Sequence, residues 1–235
     1  MPTNKSLHHT LSTIAVAARK LPVQLAMEPV DIPRRFAQAE GQIQGQLVQM
    51  HSQRWQNDFV DHLTLALLYN ASDELLSVTL SVIPKAQIPL PILGLDYVGF
   101  RGILSLVALD LCPVDRDFWH HHAAHHQQAL QKSARTHLIQ RKIPDFTHGS
   151  FSPNAVFAAA RSEQFDLAQS LAESLLSTYP QLYREALGEV PTDGTASIQN
   201  WKQAMRQNKK EHSALSQIFG EAFTQDYLYN FLFTL

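Results

Sequence analysis

Between Gln42 and Cys112 the chain holds a side-chain period close to two, and this pattern restricts its fold more than any other feature. In FVDHLTLALLYN, Leu63, Leu65, Leu67 and Tyr69 fall on one face, and His62, Thr64, Ala66 and Leu68 on the other. In LLSVTLSVIP, Leu76, Val78, Leu80 and Val82 oppose Ser77, Thr79 and Ser81. Successive side chains of a strand point to opposite faces, so these are strands with one greasy face and one mixed face. The intervening segments, NASD at 70–73, PKAQIP at 84–89 and GFRG at 99–102, are too short for helical crossovers. The strands should therefore form an antiparallel meander.

From Asp115 onward helical spacing dominates. DLAQSLAESLLSTY places Leu167, Leu171, Leu175 and Tyr179 on one stripe, and the residues from about Ser197 to Phe223 read as one long amphipathic stretch. Leu7, Leu11, Ile14 and Ala18 mark an amphipathic first helix. A sheet followed by helices predicts an α+β arrangement with helices packed over the sheet. No repeat or Ser/Gly-rich linker divides the 235 residues, so a single domain over 1–235 is expected. With 45% hydrophobic and 17% charged residues the chain has the means to build a full core.

A net charge of -2 argues against a general nucleic-acid or anionic-membrane binder, which needs a basic field. No stretch approaches the roughly 20 apolar residues of a membrane span. The single cysteine, Cys112, allows no disulfide within the chain and reads as a small buried hydrophobe. No acid precedes Glu28, and Ser, Thr, Lys and Arg are present, a faint likeness to an organellar targeting segment. The helical periodicity favours a first helix instead. The expected location is cytoplasmic, or the plastid stroma if the N-terminus is a transit segment.

WHHHAAHHQQ carries five histidines between His120 and His126. His121 and His125, like His122 and His126, have metal-clamp spacing, but no third ligand is evident, and a solvated helix surface is the plainer reading. Neither GxGxxG nor GxxxxGK[ST] occurs, so no nucleotide or flavin site of the usual kinds is expected. Arg206, Lys209 and Lys210 cluster in what reads as one C-terminal helix, either a solvated face or a docking point for an acidic partner.

Asp96 stands out within LPILGLDYVGF, because a carboxylate taken out of water costs several kcal/mol unless it is bonded or protonated. It shares a strand face with Ile92, Gly94 and Val98. Gly94 leaves an open spot where a flat ligand can lie against the backbone. Thr64 and Thr79, on mixed faces of neighbouring strands, are candidates to line the same cavity. Asp96 is then either a structural acid held by hydrogen bonds or a proton donor in an enclosed site.

Three blocks carry a resemblance. IPLPILGLDYVGFRGILSLVALDLCPV resembles the central signature of the ferredoxin-dependent bilin reductases, a Pro-x-x-Gly-x-Asp strand followed by one ending in Asp-x-x-Pro. RKIPDFTHGSFSPNAVFAAAR is similar to that family's Phe-Ser segment ending in Arg, and RQNKKEHSALSQIFGEAFTQDYLYNFLF to its closing helix. The matching residues are Pro91, Gly94 and Asp96, then Phe151, Ser152 and Arg161, then Asn208, Phe219 and Gly220. The resemblance implies a three-layer α/β/α sandwich with a central antiparallel sheet. It implies a biliverdin IXα-type bilin bound between sheet and C-terminal helices, no bound metal or flavin, ferredoxin as the electron donor, and Asp96 as a principal proton donor. His62, Thr64, Thr79, Gly94, Phe151, Ser152, Arg161, Asn208 and Lys209 are the implied substrate-binding positions, and a monomer is expected.

The chain also departs from the pattern. The His-x-Glu pair of phycocyanobilin-forming members reads His62-Leu63-Thr64, a position that is His or Asn in well-known members reads Thr79, and the Asn-Asp pair reads Asn208-Lys209. A second carboxylate is thus expected to be missing, which opens the alternative of a non-catalytic bilin carrier or chaperone.

Overall fold

The computed structural model describes residues 6–70, 72 and 75–235. Met1–Lys5 of the N-terminal segment, Ala71 and Asp73 of the NASD connection, and Glu74 lie outside them. Among the described residues nine strands form one sheet: β1 (Glu28–Pro29), β2 (Gln38–Ile43), β3 (Gln46–Gln56), β4 (Val60–Asn70), β5 (Leu75–Pro84), β6 (Ile92–Phe100), β7 (Ile103–Cys112), β8 (Ile139–Gln140) and β9 (Val156–Ala160). The order β1-β3-β4-β5-β6-β7-β9-β8, with β2 also on β3, contains the expected meander from β3 to β7, every pairing antiparallel. The β6–β7 hairpin closes on Arg101 and Gly102, both at positive φ (48° and 80°). Such a turn matches the twist of the flanking strands.

Helices α1 (Leu7–Ala18), α5 (Ala124–His137) and α6 (Phe165–Leu187) cover the greasy face, with single turns α2 (Leu21–Gln24), α3 (Arg34–Ala37) and α4 (Arg116–Phe118) elsewhere along the chain. Ile14, Leu171, Leu175 and Tyr179 bury against Leu63, Leu65, Val78, Leu80, Leu93 and Leu95. All four residues that mark the first helix, Leu7, Leu11, Ile14 and Ala18, are buried. Buried tyrosine hydroxyls fix this layer, Tyr97 donating to the Ala168 carbonyl at 2.7 Å and Tyr179 to that of Pro91 at 2.8 Å.

The mixed face is covered by α7 (Thr195–Arg206), α8 (Lys209–Phe219), α9 (Glu221–Gln225) and a π-helix, Asp226–Leu232. Ile198, Trp201, Tyr227 and Phe231 pack there with Met50, Ile83, Ile92 and Cys112. Helices on both faces of an antiparallel sheet make the three-layer α+β sandwich.

Two expectations need correction. The stretch from Ser197 to Phe223 is three helices, because Asn208 caps a new helix through its side chain and Gly220, at φ +86°, ends it. Arg206 therefore lies on a different helix from Lys209 and Lys210, and it donates to the carbonyls of Phe233 (2.8 Å) and Tyr229 (2.7 Å). Helices dominate after Asp115 as expected, and among them AVFAAA, too short and uniformly apolar to show a period, contains β9, which pairs with β7.

Candidate functional site

The mixed face has a floor of small side chains. Register places Ser52, Ala66, Thr79, Asp96 and Ala108 side by side across β3 to β7. The adjacent row is Arg54, Thr64, Ser81, Gly94 and Asp110. A methyl group built on Gly94 meets nothing within 4 Å, so the surface beside Asp96 is open.

The Thr79 hydroxyl donates to Asp96 Oδ1 at 2.8 Å. Protein surrounds the Asp96 carboxyl, although it keeps some accessible surface, as expected of a group facing a cleft. Burial raises its pKa to about 6 against the opposing pull of the Thr79 bond. The carboxyl thereby keeps a protonated fraction near neutral pH that an ordinary aspartate lacks.

A second enclosed acid, missed from sequence, faces it. Glu211 lies in the first turn of α8, where Asn208 Nδ2 donates to Oε2 at 3.1 Å while Asn208 Oδ1 accepts from the Glu211 amide at 3.4 Å. Burial first, and then the charge of Asp96, raise the Glu211 pKa to about 8. The Asn208-x-x-Glu211 spacing is a capping signature that the sequence offered. Lys209, where the resemblance implied a missing carboxylate, is exposed, and Glu211 lies on the inner side of the same helix.

Arg54 and Tyr227 complete this side of the cleft. Arg54 Nε donates to Thr64 Oγ1 (3.1 Å), Nη2 donates to the Phe231 carbonyl (2.6 Å), and the guanidinium lies 4.0 Å from the Phe231 ring centre. The Tyr227 hydroxyl bonds Ser52 Oγ at 2.8 Å.

The remaining expected positions divide. Thr79, Gly94 and Asn208 gather with Asp96 and Glu211. Thr64 lies one strand away, with Arg54 bonded to its hydroxyl. His62 is buried near the end of β4, with Nδ1 on Asp61 Oδ2 at 3.0 Å and Nε2 buried without a protein partner. Burial lowers its pKa. Phe151 packs on Phe157, 5.9 Å between ring centres, next to Ala108.

Ser152, Arg161 and Lys209 do not join the cluster. Ser152 donates through Oγ (2.5 Å) and through its amide (2.9 Å) to the buried Asp110 carboxylate, locking the Phe-Ser loop onto β7. Arg161 is exposed just beyond β9, whose Ala160 pairs with Leu104 near the β6–β7 turn. Cys112 is buried as expected but also donates its thiol to Asp110 at 2.9 Å. Among the described residues no three His, Cys, Asp or Glu side chains converge as a metal site requires. His122 of the histidine run instead reaches Glu185 (3.0 Å) and Glu189 (3.6 Å).

The sheet thus carries helices on both faces, with enclosed acids under its C-terminal layer. The model of the ferredoxin-dependent bilin reductase family matches residues 15–234, and the chain belongs to that family. It is 28% identical over 219 residues to a phycocyanobilin:ferredoxin oxidoreductase of Trichodesmium erythraeum, covering 89% of this chain and 86% of that protein. Another protein of that name, from Gloeobacter violaceus, is 26% identical over 217 residues, covering 90% and 84%. The crystal structure of phytochromobilin synthase from tomato in complex with biliverdin superposes with a TM-score of 0.77 at 15% identity, over 94% of this chain and 82% of that one. Among the described residues no helix is long and apolar enough to cross a membrane.

Proposed function

We propose that this protein reduces a linear tetrapyrrole of the biliverdin IXα type, taking electrons singly from ferredoxin and a proton from Asp96. The observation that carries the reading is Asp96 itself, an enclosed acid with a raised pKa, tethered by Thr79 beside the open floor at Gly94. A linear tetrapyrrole is flat and conjugated with a polar pyrrole edge, and fits a shallow surface of small side chains that bears an acid. Proton transfer to a reduced bilin needs a donor whose pKa is near the working pH, and an enclosed site protects the radical that a single electron creates. Exposed Lys209 and Lys210 on α8 supply positive charge for docking an acidic electron donor, an association that weakens as salt rises. A carrier without chemistry has no use for an acid held near neutrality, so the enzymatic reading is favoured.

The test is spectral. Biliverdin added to the protein shifts its absorbance, and reduced ferredoxin then converts the band progressively to product. Asp96→Asn folds, binds biliverdin with the same shift, and stops after the first electron with a radical spectrum. A variant that turns over at the wild-type rate, or a wild-type protein that shows only the static shift, overturns the proposal.

A further inference from the structure

We propose that Glu211 is the second proton source of this cleft, sharing its site with Asp96 and standing protonated in the resting protein. The inference rests on the bilin-reducing reading above and concerns a residue to which the resemblance assigns no role.

Helix geometry places it. Glu211, Leu215 and Ile218 recur at i, i+4 and i+7 on α8, one stripe of a 3.6-residue helix. Ile218 of that stripe packs on Val48 and Leu68, both on the mixed face. The stripe runs from there toward the N-terminus of α8, where Glu211 comes within electrostatic reach of Asp96 and of Tyr227, whose hydroxyl bonds Ser52. Two residues advance a helix by about 200°, so the exposure of Lys209 and the enclosure of Glu211 are two statements of one orientation.

The surroundings define its charge. Asp96 faces it from β6, Tyr227 from the C-terminal π-helix and Asn208 from its own cap, while Arg54 on β3 acts mainly on Tyr227. Two carboxyls confined together cannot both ionise readily, so the pair retains a proton that two separate surface acids would lose. Asn208 holds one oxygen of the Glu211 carboxyl, which fixes the side chain without replacing that proton.

The stoichiometry of the reaction supplies the need. Reduction of one carbon–carbon double bond takes two electrons, from two one-electron iron–sulfur donors, and two protons. The O–H bonds of Asp96 and Glu211 break, two bonds to hydrogen form on the tetrapyrrole, and the two carboxylates are reprotonated from water.

The experiment has a bilin-free arm and a turnover arm. Infrared titration without bilin shows a carboxylic-acid carbonyl component that is lost only above neutral pH and is absent from Glu211→Gln, where the lower-titrating component of Asp96 remains. In Asp96→Asn the same band persists but titrates at lower pH, because the neighbouring charge is gone. In the turnover arm Glu211→Gln shows the wild-type shift with biliverdin and accepts the first electron, and product formation falls by about 100-fold or more. Adding Lys209→Asp to Glu211→Gln does not restore it, since that position faces water. If Glu211→Gln does not fold, Glu211→Asp is read instead, with a band that still titrates and slowed product formation. The higher-titrating component retained in Glu211→Gln, or product at the wild-type rate with the wild-type pH profile, overturns the inference alone. Failure of the wild-type protein to reduce any bilin defeats the underlying reading, and the band assignments are made independently of it.

Discussion

Asp96, Asp110 and Glu211 are all enclosed acids with raised pKa values, and what separates them is the number of protein donors each receives. Asp110 accepts from the Ser152 amide, the Ser152 hydroxyl and the Cys112 thiol. Its capacity is spent on holding a loop. Asp96 is held by the Thr79 hydroxyl and keeps surface toward the cleft. Asp110→Asn loses at least one charge-assisted bond and sets an amide N–H₂ against existing donors. It should lower unfolding free energy by about 1–3 kcal/mol in urea titration, with the m-value unchanged. Asp96→Asn should cost far less. Equal losses in the two variants would show that donor count does not distinguish their roles.

At the scale of elements, the cleft exists because α8 rides close on the sheet edge and the C-terminal π-helix is pinned down. Gly41 on β2 permits the first: a Cβ there would press into the Ile218 carbonyl oxygen and come within 2.8 Å of the Ile218 carbonyl carbon and of the Phe219 ring. Both carbonyl atoms are helix backbone and have little freedom to yield. Gly41→Ala should therefore shift α8, destabilise the fold by about 1–3 kcal/mol, and weaken biliverdin binding measured by absorbance titration. Unchanged melting and binding would show that α8 position is not set here. Arg54 and Arg206 do the pinning, meeting carbonyls near the end of the π-helix that its last turn leaves open.

For the molecule as a whole, the two cleft acids make stability depend on pH. Their folded pKa values, about 6 and about 8, stand above the ordinary values of 3.8 and 4.5. Between those limits the folded protein keeps protons that the unfolded chain has released, so this contribution is full at low pH and is lost as pH rises through the folded values. Buried His62 acts in the opposite sense, since its lowered pKa withdraws stability as pH falls. The signature is consequently a difference. Glu211→Gln should gain melting temperature relative to wild type as pH goes from 5 to 9. A constant offset between the two proteins across that range would mean that Glu211 is not raised.

The meander, the greasy and mixed faces of its strands, the first helix and the singular placement of Asp96 beside Gly94 are legible in the order of residues alone. These follow from side-chain period and turn length, which are local properties that any short window of residues expresses. The Thr79–Asp96 bond was within reach because neighbouring antiparallel strands bring known faces together. That Ser152 belongs to Asp110, that Arg206 serves the C-terminal carbonyls, and that Glu211 is enclosed beside Asp96 emerge from the packed layers. Those facts depend on how α7, α8 and the π-helix rotate and settle on the sheet. Packing between layers distant in sequence fixes that rotation, and with it which side of a helix is withdrawn from water.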